Sequence, residues 1–312
     1  MTLDDLRVFV AVCRAGSLSA VARELSCTQS AVSQHVKRLE KEVGIGLVER
    51  HARGVVPTPA GRILRAAAAD GLGALDQALR RLDDLARGES GSVRVATGAT
   101  SVRHFMAAAI VVFRRTHPQV GLEFQTVSSS RSCFEALAAH DLDLAWITMG
   151  PPERGIELRP VVELPWVLAV NEDDALAAKA TATPDDLEAS AQLILPPAHA
   201  TSRAHLDTHF ADLGLGKGPA SGTGIADWDT AVHLAELGLG HALVPDLPGL
   251  RSSSHTTLTL LPVPALPPLQ VGWATRRWSA LPPPARAFAD TVHENCPGRR
   301  PGRRPTGPEP IG

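Results

Sequence analysis

The chain has 312 residues, 44% of them hydrophobic and 21% charged, with a formal net charge of -2; a chain of this length predicts two or three domains rather than one core. No run of about 18 apolar residues occurs, which excludes a helical membrane span, and Asp4 and Asp5 precede Arg7 where an export signal needs basic residues feeding an apolar stretch. Cys13, Cys27, Cys133 and Cys296 lie far apart without a C-x-x-C pair, which argues against a zinc site or a disulfide framework and for reduced thiols in a cytoplasmic protein.

Charge is unevenly spread. Residues 1–65 carry ten Lys/Arg against six Asp/Glu, whereas 91–295 carry fourteen against twenty-one, so the N-terminal part is the one suited to a polyanion. Within it, Leu3, Leu6, Val10 and Cys13 recur at helical spacing up to Gly16. Ser17 is an N-cap for a short second helix with Leu18, Val21, Ala22 and Leu25 inward. After a tight break, Thr28 caps a third helix with Val32, Val36, Leu39 and Val43 inward, ended by Gly44. Two helices joined by so short a turn make a helix-turn-helix. "IGLVERHARGVVPTPAG" then reads as a two-stranded wing. From Pro59 to about Arg87, Ala68, Leu72, Leu75, Leu79, Leu82 and Ala86 form the seam of a helix that pairs with a partner helix, which implies a dimer. Gly71 and Gly73 each cost such a helix about 1 kcal/mol against Ala and predict a kink or a weak first half.

"GESGS" (88–92) marks a boundary, after which strands and helices alternate as in an α/β domain: "SVRVAT", "VRHFMAAAIVVFRRTHP", "VGLEFQTV", "SCFEALAAHD" and "LDLAWIT". A second set runs from "WVLAV" through "QLILP", "RAHLDTHFADLG", "WDTAVHLAELGLG" and "HALVP", and "LTLLPV" and "LQVGWAT" lead to a last helix, "PPARAFADTVHEN". Residues 296–312, rich in Pro, Gly and Arg, are expected to be a disordered tail.

On the third helix, Gln29, Ser30, Ser33, Gln34, Lys37, Arg38 and Lys41 share the face opposite the apolar stripe. Amides and short hydroxyls at a helix N-terminus suit base edges in a major groove, and the basic residues one or two turns later suit phosphates. The plainer reading is a solvated helix face. What decides between them is context: "GSLSAVARELSCTQSAVSQHVKRLEKEVGIGLVER" followed by "RGVVPTPAG" resembles the winged helix-turn-helix of the LysR-type transcriptional regulators over residues 3–90. Ala20, Ala22, Leu25, Thr28, Gln29, Ser30, Ala31, Val32, Ser33, Val36, Leu39, Glu40, Val43 and Gly44 meet the family's spacing; Val48 departs from its usual Phe.

The resemblance implies an all-α winged helix-turn-helix (1–60), a linker and dimerisation helix (61–90) and an α/β effector domain of two Rossmann-like subdomains (91–295), with subdomain I at 91–161 and 267–295 and subdomain II at 162–266. "RRTHPQVGLEF", "HDLDLAWI" and "AELGLGHALVPDL" match family passages there. It implies a dimer or tetramer on an inverted-repeat operator in double-stranded DNA, with RNA polymerase as a further contact, no cofactor, no metal and no membrane. Gln29, Ser30, Ser33 and Gln34 would read bases, Lys37 and Arg38 would hold phosphates, and Arg50 and Arg53 would reach the minor groove from the wing. Three hydroxyl-rich junctions, Thr100-Ser101, Ser128-Ser129-Ser130 and Thr201-Ser202, would meet a small-molecule effector, an anion by preference, at helix N-termini, with Trp146, Thr148, Thr223 and Gly224 completing the walls. Simple N-capping explains the same hydroxyls, and Cys133 reads either as a redox sensor or as an apolar helix residue.

An enzyme lacks support, since no G-x-S-x-G, H-E-x-x-H or Walker loop is present; "LGLGKG" has the wrong spacing for a phosphate loop, and His205 and His209 have no further ligand at metal spacing beside them or His199. An architectural DNA-binding protein without a ligand leaves some 200 residues of α/β fold unexplained.

Overall fold

The computed structural model describes residues 1–297 apart from 52–53, 87–90, 128, 191, 216–222 and 251–256, and in α4 also apart from the side chains of 77, 81 and 84–86. The predicted Arg53, Ser128 and nearly all of the C-terminal tail therefore lie outside the described residues. The chain divides into two compact units, Met1–Gly88 and Glu89–Gly312.

In the first unit, α1 (Leu3–Ala15) opens on a capping box in which Thr2 and Asp5 satisfy each other's backbone N–H, and closes on Gly16 in the left-handed conformation. α2 (Leu18–Glu24) is capped by Ser17 and α3 (Gln29–Val43) by Thr28, with Gly44 left-handed at its end. Val8, Val12, Leu18, Val21, Val32 and Val36 close one core between the three helices, and Phe9, Cys13, Leu39 and Leu47 close another. β1 (Val48–His51) and β2 (Gly54–Pro57) pair antiparallel as the wing. The wing is fastened at both ends: Leu47 and Val48 N–H donate to Glu40 Oε1 of α3 at 2.8 and 3.2 Å, and Val55 N–H donates to the Gly16 carbonyl at 2.8 Å.

α4 (Pro59–Ala86) is one helix through Gly71 and Gly73. Gly61 is the glycine that matters: a Cβ there would stand 1.9 Å from the Leu47 carbonyl oxygen, so only glycine lets α4 lie this close to the wing. The seam also divides. Ala68 and Leu72 are buried inside the unit, where α4 packs on α1, whereas Leu79 and Leu82 are exposed.

The second unit holds two mixed sheets. β3 (Ser92–Ala96) is followed by α5 (Ala99–Ser101), a π-helical turn Val102–Met106, α6 (Ala107–Thr116), β4 (Gly121–Gln125), α7 (Ser130–Ala138), β5 (Leu144–Thr148) and β6 (Glu157–Leu164). β7 (Trp166–Asn171), a 3-10 turn Ala175–Ala178, α8 (Pro184–Ala189), β8 (Leu193–Ile194), α9 (Thr201–Asp212), α10 (Trp228–Glu236), β9 (His241–Pro245) and β10 (Leu258–Pro262) come next. β11 (Leu269–Thr275) and α11 (Pro283–Asn295) return to the first sheet. The five-stranded sheet has the order β4-β3-β5-β11-β6 and the four-stranded sheet β10-β7-β9-β8, so each sheet defines a lobe. The parallel β3 neighbours, and β11 antiparallel between β5 and β6, fit a two-lobed α/β fold in which the chain leaves the first lobe and comes back.

Two boundaries shift. The expected passage into subdomain II at 162 falls inside β6, which stays paired to β11 through Leu164; the chain crosses at Pro165, whose missing N–H ends the ladder. The expected tail begins too early, because Cys296 is 6% exposed and packs into the core of the second unit.

Candidate DNA interface and effector cleft

The outward face of α3 is built as the helical spacing requires. Val32, Val36 and Leu39 are buried, while Gln29, Ser30, Gln34, Lys37, Arg38 and Lys41 are exposed and Ser33 is half-buried. The N-terminal residues are held in place by short bonds: Ser19 Oγ donates to Gln29 Oε1 at 3.3 Å, and the Ser30 and Thr28 hydroxyls stand 3.0 Å apart. An Nη2 of Arg50 donates to Ser33 Oγ at 2.9 Å, so the wing arginine leans onto the outward face of α3.

Arg38 has a partner on α1. Its Nε and Nη2 donate to Asp5 Oδ1 at 3.1 and 2.7 Å, and His35 Nδ1 stands 2.8 Å from the same oxygen. Asp5 is 1% exposed, so a buried carboxylate of α1 already neutralises the guanidinium expected to hold a phosphate. Burial pushes the Asp5 carboxyl up, but the hydrogen bonds from Arg38, Thr2 and His35 outweigh it and hold the group well below the usual carboxylate range. Asp5 and His35 were not among the expected site residues; Asp5 was legible only as the third residue after Thr2 in a capping box. Lys37, by contrast, is exposed and makes no ion pair among the described residues.

In the second unit, the predicted effector residues are sorted by the lobes. Ser130 of the first lobe and Thr201 at the start of α9 bring their hydroxyls to 2.9 Å, and Thr201 Cγ2 approaches within 2.9 Å of where a Gly150 Cβ would stand. Thr100 Oγ1 donates to Asp227 Oδ2 of α10 at 2.7 Å. All three junctions thus take part in contacts from one lobe to the other. Asp227, not foreseen, also accepts from Thr230 N–H and Oγ1 at 2.8 Å each as the α10 N-cap. Its burial raises the carboxyl, and the bonds from Thr100 and Thr230 outweigh that, so its pKa is lowered and it stays ionised. Ser129 Oγ is used to cap α7 through Ser132 N–H, and α9 has no side-chain cap at all. Ser202 is buried, Ser101 and Thr148 are half-buried, and Thr223 and Gly224 are exposed and pair through their backbone with Leu195.

Trp146 is not a wall residue. It is 4% exposed and sits in an aromatic core, edge-on to Trp273 at 4.9 Å and 5.6 Å from Phe105. Cys133 is 5% exposed and burial pushes its thiol up to about 11, which makes it an inert core residue rather than a sensor. Among the described residues no group of three His, Cys, Asp or Glu is placed to hold a metal; His205 stacks on Trp166 and its Nε2 lies 3.2 Å from the Pro267 carbonyl. A Ser190-His241-Asp174 chain, at 2.9 and 3.0 Å, has the composition of a hydrolytic triad, but Ser190 is 6% exposed and meets Nδ1, so it ties the end of α8 to β9.

A capped, outward-facing helix beside a wing, followed by two α/β lobes joined by hydroxyl contacts, defines a ligand-responsive DNA-binding protein. Residues 3–62 match the bacterial regulatory helix-turn-helix protein of the lysR family, and residues 86–297 match the LysR substrate binding domain. The chain belongs to the LysR family of transcriptional regulators. It is 28% identical over 251 residues to the HTH-type transcriptional regulator BudR of Raoultella terrigena, covering 78% of this chain and 84% of that one. Its fold is similar to a full-length OxyR variant from Pseudomonas aeruginosa, with TM-score 0.62 and 22% identity over 98% of this chain and 99% of that one. It is also similar in fold to full-length CbnR in complex with its target DNA, with TM-score 0.58 and 21% identity over 95% of this chain and 100% of that one.

Proposed function

We propose that this regulator reads an inverted-repeat operator through Gln29, Ser30, Ser33 and Gln34 of α3 and anchors on phosphates chiefly through Lys37 and Lys41. The observation that carries the reading is the exposed amide and hydroxyl face of a helix whose opposite side packs through Val32, Val36 and Leu39, the expected inward Val43 being 50% exposed at its end. A dimer of this chain is joined along the exposed Leu79 and Leu82 of α4, with pairs of dimers and contact with RNA polymerase as further steps in the cytoplasm.

The effector lodges where Ser130 and Thr201 meet. The start of α9 offers backbone N–H groups without a side-chain cap, so an anionic group belongs there. Ionised Asp227 beside Thr100 repels such a group and suits a hydroxyl or an amine of the effector. Closure around a ligand shifts the DNA-binding state only if the ligand prefers one arrangement of the lobes. The test is a thermal-shift panel of small carboxylates and amino acids on wild type and on Ser130→Ala with Thr201→Val. A carboxylate that stabilises wild type and not the double variant supports the site; equal stabilisation of both places it elsewhere.

A further inference from the structure

The π-helical turn Val102–Met106 carries three consecutive buried residues, His104, Phe105 and Met106. Phe105 and Met106 belong to the core, whereas His104, 9% exposed, turns to the other lobe. The π turn lies where the chain passes from α5 into α6, and it carries both the two core side chains and His104. The His104 ring stands between two groups of the second lobe: Nδ1 lies 2.8 Å from the Pro248 carbonyl oxygen, and Nε2 lies 2.8 Å from Asp229 Oδ1 in the first turn of α10. A carbonyl only accepts and an ionised carboxylate only accepts, so each ring nitrogen must carry a hydrogen.

We propose that His104 is a positioning residue, a proton-carrying clip that fastens the start of α10 and the Pro248 loop to the first lobe and so couples closure of the effector cleft to the uptake of one proton. The charged groups around the clip are Asp229 and Asp227 on α10, both acidic, and Arg103 on its own turn, whose Nη1 lies 3.6 Å from Asp229 Oδ2. In the loop that carries Pro248 the neighbouring acid is Asp246, whose N–H is bonded to the Pro165 carbonyl. Two carboxylates against one guanidinium leave a place for a second cation, and the imidazolium fills it. The clip sits one helical turn from Thr100, whose hydroxyl reaches Asp227, so the first turn of α10 is held from the first lobe by two bonds, of which only that of His104 depends on a proton. Loss of the proton turns one donor into a lone pair facing an acceptor. The closed arrangement is therefore favoured at lower pH and weakens as the ring deprotonates.

No effector enters the experiment, so its outcome is separate from the assignment of the effector site. Full-length protein labelled with 15N at histidine gives ring-nitrogen signals, with His104→Gln assigning the ring. The expected result is a His104 ring with both nitrogens protonated in the folded protein at neutral pH. Asp229→Asn keeps the ring but removes the carboxylate, and one ring nitrogen then loses its hydrogen at the same pH. In parallel, the part of the Tm profile between about pH 6 and about pH 8 that distinguishes wild type from His104→Gln should fall toward zero as pH rises. A His104 ring with one protonated nitrogen at neutral pH, or a His104→Gln profile parallel to wild type throughout, overturns the clip. If His104→Gln does not fold, the ring spectrum of Asp229→Asn decides alone.

Discussion

Lys37 and Arg38 are neighbours on the recognition helix and both are exposed, yet they should behave differently on DNA. Each phosphate neutralised by a free cation contributes a slope of about 0.9 to the fall of log affinity with log salt. Lys37 has no ion pair among the described residues, so Lys37→Ala should lower the slope by about 0.9 per recognition helix, which is roughly a 3.5-fold smaller loss of affinity between about 50 and about 200 mM salt. Arg38 gives two N–H groups to Asp5 Oδ1, and Asp5 is 1% exposed, so the pair is close to neutral toward a phosphate. Arg38→Ala should change the slope by well under half as much. Asp5→Asn, which leaves the guanidinium uncompensated, should raise the slope instead. Fluorescence anisotropy with a labelled operator duplex at four salt concentrations reads all three. An Arg38→Ala slope change equal to that of Lys37→Ala in the presence of Asp5 would refute the compensation argument.

Three further outcomes follow from the packing and the titrating groups. Gly61→Ala places a Cβ 1.9 Å from the Leu47 carbonyl and should cost the DNA-binding unit about 2–3 kcal/mol, whereas Gly71→Ala meets nothing within 4 Å and should stabilise by roughly 0.5–1 kcal/mol; calorimetry of the two variants tests the contrast. The hydrogen bonds from Lys179 and Thr183 lower the Asp186 pKa from 3.8 to about 2; a depressed carboxyl stabilises the fold above 3.8, and that contribution is lost as pH falls toward about 2, so Asp186→Asn should flatten acid unfolding in that window. A thiol reagent at neutral pH should modify the exposed Cys27 quickly and leave Cys133, with its pKa near 11, unreacted until the protein unfolds.

The helices of the DNA-binding unit were legible because caps and periodicity agree there: Ser17, Thr28 and Gly44 sit where the chain needs them. β6 was not, because Pro160 interrupts it; the strand lies at the sheet edge, and the register shift opposite Val271 and Gly272 accommodates a residue that cannot donate. α8 was missed for its brevity, although Thr183-Pro184-Asp185-Asp186 spells a capping box with proline at its first position. The π turn is invisible to periodicity, since the apolar spacing from 102 to 118 reads as ordinary helix. The helix-face argument puts Lys37, Gln29 and Arg38 on one outward face, but the bond from Arg38 to Asp5 of α1 is not legible there, because a face drawn on one helix ignores how far an arginine reaches back to another. Thr100 was singled out as a helix start, but its partner Asp227 is 127 residues away, and only the folded chain brings them together.

The central claim is that α3 reads base sequence. Selection of bound duplexes from a random library by the full-length protein tests it most directly, with Gln29→Ala and Gln34→Ala beside wild type. Wild type should enrich an interrupted inverted repeat, and each variant should lose preference at one or two positions per half-site, with each lost contact worth about 1–3 kcal/mol. Enrichment without any repeat, or variants that select the same sequence as wild type at every position, would contradict it.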